Sequence, residues 1–330
     1  MKQFGGKIAV ITGGGTGMGR ELAKQLATEG CHVAMCDVSP ENMEETQAAC
    51  RKAAPAGTRV TTHECDVSEE RQVLRFRDEV ASEHATKHVN LLFNNAGIGA
   101  GGSMITDERE EWDKTFAVCW GGVYYCTRAF LPMLVAAPEA HLINTSSVNG
   151  FWASLGPNVP HTAYSAAKFA VKGFSEALIG DLRLNAPHVK VSVVMPGHVG
   201  TSIVTNSGKV LGRPSPKEMT HEDLDRVRER FERQGVPVEG VTDDQLRAGM
   251  EMMAVAFRDM APLTAAGAAT QILDAVREER WRVLVGKDAE ALDRRVREAP
   301  EEAYETSFVE KLRKDGFFGG LINTVSGRED

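Results

Sequence analysis

The sequence predicts an α/β fold, a doubly wound parallel sheet of about seven strands with helices on both faces. Three observations predict it. Short apolar runs alternate with longer amphipathic stretches through the first 200 residues. The runs are apolar almost throughout, as strands covered on both faces must be, and do not alternate apolar with polar. A glycine-rich turn joins the first run to the first amphipathic stretch.

In chain order, strands are expected over residues 7–12, 32–37, 59–66, 89–94, 141–147 and 190–195, with a further one over 281–285. Helices are expected over 18–29, 41–54, 69–83, 113–135, 164–184 and 264–280. Residues 202–263 break the rhythm, being charged, rich in methionine and patterned for two helices. Thr242-Asp243-Asp244-Gln245 reads as a capping box opening the second, because a threonine and a glutamine three residues on satisfy each other's backbone donors. Its apolar positions Leu246, Met250, Met253, Phe257 and Met260 recur at helical spacing. Beyond the last strand, 288–315 is charged and helical in pattern, and 317–322 is apolar. One domain over 1–330 is expected, with a helical insertion at 202–263 and a C-terminal helical extension at 287–330.

Composition narrows the function classes. Hydrophobic residues make up 42% and charged residues 25% of the 330, which suits a globular chain with a sizeable core. A net charge of −8 offers no basic face for a phosphate backbone, so nucleic acid is not an expected partner. No apolar run approaches the roughly 18 residues that span a bilayer, and no signal-peptide pattern is visible, so a cytoplasmic protein without a membrane partner is expected. All six cysteines lie in the first 130 residues without a C-x-x-C pair, which predicts buried free thiols and no metal site.

Two segments carry chemistry. Thr12-Gly13-Gly14-Gly15-Thr16-Gly17-Met18-Gly19 follows the first strand. Glycines there permit a tight turn and close approach to a pyrophosphate, whose charge a helix N-terminus stabilises. A purely structural turn is the alternative. Asp37 ends the second strand, 20 residues after Gly17. A carboxylate there accepts from ribose hydroxyls and repels a 2′-phosphate, favouring NAD over NADP, with a helix cap as the alternative. Tyr164 and Lys168 stand four apart on an expected helix, hence on one face. Positive charge beside a phenol lowers a pKa that is about 10 in water. A tyrosine so tuned exchanges a proton with an alcohol or carbonyl near neutral pH. Many amphipathic helices share the spacing alone.

The glycine turn, Asn94-Asn95-Ala96-Gly97, Ser146-Ser147, Tyr164 with Lys168, and Pro196-Gly197-His198-Val199-Gly200-Thr201 follow one another in the order and approximate spacing of the short-chain dehydrogenase/reductase family. The chain resembles that family over about residues 5–201 and, weakly, over 264–286. The resemblance implies a Rossmann fold and a nicotinamide dinucleotide. It implies that Gly13, Gly17, Met18 and Gly19 form the pyrophosphate turn, that Asp37 selects NAD, and that Asp66 and Val67 flank the adenine. Asn95, Ala96 and Gly97 would line the cofactor and stabilise the sheet. Ser147 would hydrogen-bond the substrate oxygen, Tyr164 would transfer its proton, and Lys168 would also hold the nicotinamide ribose. Pro196, Gly197, Val199 and Thr201 would seat the nicotinamide. A homodimer or homotetramer is implied as well.

Two departures stand out. The family's asparagine, in a pattern like V-N-x-x-G-V, would fall within Val118-Cys119-Trp120-Gly121-Gly122-Val123, where Cys119 replaces it. That puts the proton relay behind the lysine in doubt. Cys119 itself reads as a small core residue. The interval from Ser147 to Tyr164, seventeen positions, is also longer than usual, the extra residues falling in 151–161. Trp152, Leu155 and His161 are therefore candidate pocket residues, with a surface excursion as the equal alternative.

Residues 202–263 occupy the family's substrate-lid position. Methionine-rich faces adapt to irregular apolar shapes, so Met250 and Phe257 join the candidate pocket. Packing of the same residues on the core or a neighbouring subunit is the alternative. The expected function is hydride transfer between NAD and a secondary alcohol or ketone, bulky and apolar, with Tyr164 as general acid/base. The alternatives are a carbonyl or ketoacyl reductase and an NAD-binding sensor without turnover.

Overall fold

A computed structural model describes residues 1–156 and 158–314. Its strands are β1 (Ile8–Thr12), β2 (His32–Asp37), β3 (Val60–Glu64), β4 (Leu91–Asn94), β5 (Ala140–Thr145), β6 (Val189–Pro196), β7 (Val199–Gly200), β8 (Leu263–Thr264) and β9 (Arg282–Val285). The helices are α1 (Gly17–Thr28), α2 (Pro40–Ala53), α3 (Glu70–Glu83), α4 (Arg109–Phe116), α5 (Gly122–Val135), α6 (Thr162–Asn185), α7 (Ile203–Val210), α8 (His221–Arg233), α9 (Asp243–Asp259), α10 (Ala265–Arg277), α11 (Lys287–Glu298) and α12 (Thr306–Lys314). Seven strands pair in parallel in the order β3-β2-β1-β4-β5-β6-β9.

Every expected sheet strand is present. The reason is visible in β1, whose side chains alternate between two cores. Ala9 and Ile11 meet Leu22 and Leu26 of α1 and Ile272 and Leu273 of α10. Val10 meets Val73 and Phe76 of α3 and Phe130 and Leu134 of α5 on the other face. Each large side chain withdrawn from water contributes about 1.5–3 kcal/mol, so both faces must be apolar. All six cysteines are free and buried.

Polar side chains tie the layers where the core alone sets no register. Asn94 on β4 donates to Asn144 on β5 (2.8 Å) and to Thr127 on α5 (3.0 Å). Asn144 in turn donates to Ser175 on α6 (3.0 Å). Buried, cross-linked groups of this kind resist slippage, since a one-residue shift would break each of these bonds.

Three local results differ from expectation. The helix expected over 113–135 divides into α4, a π-helical turn over Ala117–Gly121, and α5. The insertion holds three helices instead of two, α7 being the addition, and β7 pairs with β8 to join its two ends. Capping boxes open α8 at Thr220 and α9 at Thr242. Leu224, Val227 and Leu246 then form a small core within the insertion. The third difference concerns the C-terminal extension. Helices α11 and α12 pack on the loop after β5 through Leu292, Ala303, Phe308, Val309 and Leu312, which surround Trp152. Residues 315–330, with the apolar stretch 317–322, lie outside the described residues. Among the described residues no helix is long and apolar enough to cross a membrane.

Candidate active site

The strand order reverses between β1 and β4, and a crevice opens at the carboxyl ends of such strands. The candidate residues gather there. Gly13 and Gly17 adopt positive φ (68° and 54°), which glycine reaches without strain. Gly19 has no room for anything larger, since a Cβ would stand 2.0 Å from the Gly13 carbonyl oxygen. Gly17 faces Thr201, whose Cγ2 would lie 3.2 Å from an added Cβ. Thr12 anchors the turn: its Oγ1 accepts from the backbone N–H of both Asn95 and Ala96 at 3.0 Å. Asn95 Nδ2 donates to the Thr12 carbonyl (3.1 Å), while its buried Oδ1 has no partner among the described residues. The bare glycine cradle at a helix N-terminus and this orphaned acceptor fit a dinucleotide.

Asp37 accepts from the backbone N–H of Gly15 (3.0 Å) and Ser39 (3.1 Å). Arg20 is engaged with the Gly15 carbonyl and Thr46, both at 2.9 Å, and with Glu45 at 2.8 Å. At the third strand's exit, Asp66 is paired with Lys114 (2.6 Å). Burial pushes the Asp66 carboxyl up, but Lys114 and Ser68 outweigh it and hold the group below the usual carboxylate range. Val67 is buried beneath Gly122 of α5.

Ser147, Tyr164 and Lys168 converge. Lys168 is buried, and its Nζ donates to the Thr145 carbonyl at 2.9 Å. The same nitrogen lies 5.3 Å from the Tyr164 ring centroid. Ser146 Oγ donates to the Lys168 carbonyl (2.7 Å), which locks α6 against the end of β5. The Ser147 hydroxyl accepts from Asn149 N–H (3.1 Å). The expected lowering of the phenol is not found. Burial, with a smaller contribution from Cys119, pushes the Tyr164 pKa up, and the nearby Ser147 hydroxyl only tempers it. Burial also lowers Lys168. Desolvation thus dominates at both groups, an effect that spacing cannot reveal.

Cys119 lies at the centre of the π-helical turn and is fully buried. Its Sγ donates to the Ile98 carbonyl (3.2 Å) and accepts from Ile98 N–H (3.4 Å), so the thiol tethers the exit of β4.

After β6, Gly197 N–H donates to Val285 (3.0 Å) and His198 N–H to Asp288 of α11 (2.6 Å). His198 faces Phe257, with ring centroids 4.5 Å apart, and hydrogen-bonds its carbonyl. Phe257 therefore closes on the Pro196–Thr201 segment. Met250 packs on the insertion's own small core. Trp152 is 1% exposed and donates from Nε1 to the Ala303 carbonyl (2.7 Å). It belongs to the C-terminal packing and not to a pocket wall. Leu155 and His161 do line a cavity of about 390 Å³, and the His161 ring sits 4.8 Å from that of Tyr164. Burial pushes His161 down to about 4.

Sequence reasoning missed Thr12 as an anchor, and it missed two reaches from outside the crevice. Asn206 of α7 donates to Thr16 in the glycine turn (2.9 Å), and Ser207 accepts from Gly99 N–H (2.8 Å). Asp288 holds His198 from the C-terminal extension. A threonine ending a glycine-flanked strand is a local signal. The other three contacts span 90 residues or more and leave none.

A dinucleotide crevice with a serine, a tyrosine and a lysine at its edge defines a class of oxidoreductases. The short chain dehydrogenase family profile matches residues 7–211, and the chain belongs to that short-chain dehydrogenase/reductase family, whose members bind a nicotinamide cofactor. It is similar to the putative oxidoreductase SadH of Mycobacterium tuberculosis, 37% identical over 207 residues covering 63% of this chain and 72% of that protein. Human epidermal retinol dehydrogenase 2 is 34% identical over 216 residues, 65% of this chain and 66% of the relative. Among solved structures, a short chain dehydrogenase/reductase from Burkholderia phymatum in complex with NAD superposes with a TM-score of 0.71. It is 31% identical, covering 91% of this chain and 96% of its own. A metagenomic short-chain oxidoreductase in complex with NADP gives 0.52 at 32% identity, over 59% of this chain and 83% of its own.

Proposed function

We propose that this oxidoreductase transfers hydride between NAD and a secondary alcohol or ketone, with Tyr164 as the general acid/base. The observation that carries the reading is the placing of the Tyr164 ring 5.3 Å from Nζ of the buried, backbone-anchored Lys168, with Ser147 just beyond the end of the adjoining strand. The nicotinamide ring, when bound, supplies the hydride acceptor or donor and, oxidised, a positive charge of the sign that lowers a neighbouring phenol.

The chain's own residues supply the rest. Ser147 fixes the substrate oxygen within reach of the phenol. Tyr164 Oη takes the hydroxyl proton in oxidation and returns it in reduction. Lys168, held at Thr145, presents a cation that favours the phenolate as it forms. Gly13, Gly17, Met18 and Gly19 receive the pyrophosphate, with Asp66 and Val67 beside the adenine. Asn95, Ala96 and Gly97 line the middle of the crevice, and Pro196, Gly197, Val199 and Thr201 seat the nicotinamide.

NAD is favoured over NADP because the Asp37 carboxylate faces the glycine turn, while the adjacent Arg20 is held by Gly15, Thr46 and Glu45. The methionine face that suggested a bulky apolar substrate loses part of its force, since Met250 packs inside the insertion.

The test is reduction of NAD, followed by NADH absorbance, across a panel of secondary alcohols. Tyr164→Phe should lower kcat about 10²–10⁴-fold while cofactor affinity stays near that of the parent. Full activity in Tyr164→Phe would sink the mechanism. Tight cofactor binding without turnover of any alcohol or ketone would favour the sensor.

A further inference from the structure

The cavity that His161 shares with the insertion is not apolar throughout. It is lined by Leu155 and by His161, whose ring meets that of Tyr164, and from the insertion by Arg213, Arg230, Phe231 and Arg233. The three arginines differ in their partners. Arg213 binds Glu111 through two nitrogens. Arg233 stands 3.7 Å from the Glu229 carboxylate. Asp107, the acidic residue of the lining, directs Oδ2 to the backbone N–H groups of Gly102 (2.9 Å) and Ser103 (3.0 Å). The Arg230 side chain is exposed and has neither a hydrogen bond nor an ion pair among the described residues; its guanidinium lies 5.8 Å from the centroid of the adjacent Phe231 ring, and the Asp107 and Glu111 carboxylates favour its charge from beyond contact distance. His161 is neutral near pH 7, because burial lowers its pKa to about 4, so it adds no charge to the cavity.

A guanidinium at a cavity wall with no carboxylate in contact among the described residues is a preformed half of an ion pair. Its planar fork matches a carboxylate with two parallel hydrogen bonds. One unpaired arginine balances one negative charge, whereas a phosphate monoester brings about 1.5 to 2. We propose that Arg230 anchors a carboxylate of the substrate, so that the alcohol or ketone oxidised or reduced at Tyr164 is a hydroxy or oxo acid. This rests on the hydride-transfer reading above and names the substrate class for the same site.

The test compares 4-hydroxycyclohexanecarboxylate with its neutral counterpart 4-methylcyclohexanol, each with NAD. The parent protein should prefer the carboxylate in kcat/KM by about tenfold or more, and Arg230→Met should abolish the preference. Arg226→Met, an exposed position on α8 paired with Glu222, should keep it. No preference in the parent, or an unchanged preference in Arg230→Met, overturns the proposal and leaves hydride transfer standing. If neither compound is turned over, calorimetric titration of 4-oxocyclohexanecarboxylate into the NAD-loaded protein decides. Binding weakened about tenfold or more in Arg230→Met supports the anchor. Equal or absent binding overturns it.

Discussion

Residues 1–201 and the insertion at residues 202–263 are held together in different ways. In the first region buried side chains reach backbone groups: Thr12 to Asn95 and Ala96, Ser146 to Lys168, Lys168 to Thr145. Gly13, Gly19 and Gly150 there sit where an added Cβ would come within 3.0 Å of neighbouring atoms. In the insertion, a core of three buried residues, two capping boxes and exposed ion pairs do the holding. The family profile ends at residue 211, just inside this change. The lesson is one of cost. Geometry that must position a proton and a cofactor is built where every shift orphans a buried group, whereas exposed helices can change sequence at a few tenths of a kcal/mol per site. The insertion is therefore where substrate preference can vary.

The sharpest way to break this comparison is to place the same methyl group in both regions. Gly19→Ala puts a Cβ 2.0 Å from the Gly13 carbonyl and 2.7 Å from Asn95 Nδ2. It should lower NADH affinity at least about 100-fold, read by fluorescence titration, or prevent folding, read by circular dichroism. Cofactor binding like that of the parent would show that the turn has slack. In α9, Gly249 has nothing within 4 Å of an added Cβ. Gly249→Ala should stabilise by about 0.5–1 kcal/mol in urea denaturation.

Next in size is Trp152→Ala. Removing a fully buried indole and its bond to Ala303 should cost about 3–5 kcal/mol and loosen α11 and α12, with earlier amide exchange there. A loss below about 1 kcal/mol would mean that the C-terminal helices pack independently of this loop.

Acid should then separate the regions by sign. Burial depresses His141 to about 3 and His84 to about 4, against roughly 6.5 in an unfolded chain. As pH falls below about 6.5, the unfolded chain takes protons that the native one refuses, so stability is lost down to about pH 4. In the insertion, the hydrogen bond to Asp243 raises His221, whose contribution is present below the unfolded pKa and fades as pH rises through the raised one. Tm should therefore drop between pH 6.5 and 4, and less so in His84→Gln. A flat profile over that window would contradict the burial argument.

The smallest effect is expected for Arg226→Ala. It removes an exposed pair with Glu222 and should change stability by less than about 0.5 kcal/mol. A larger loss would mean that the insertion's surface charges act as a network.

Much of the molecule was legible from local pattern. The seven sheet strands, the glycine turn and the capping box at Thr242 follow from periodicity and backbone constraint, each confined to a few adjacent residues. Tyr164 and Lys168 share a helix face for the same reason. Other outcomes depended on contacts far along the chain. Trp152 had been expected at a pocket, and Ala303, 151 residues away, draws it into the C-terminal packing. Met250 shows a helical stripe, but a stripe does not say which partner covers it, and here the partners are Leu224, Val227 and Leu246. The upward shift at Tyr164 comes from burial, a property of everything packed around a side chain. Sequence by itself therefore determined the fold, the family and the order of the site segments, because dihedral preference and hydropathy act over short range. The tertiary structure alone decided which apolar residues face the cavity, how burial shifts Tyr164, and that Arg230 meets the cavity with no hydrogen bond or ion pair among the described residues.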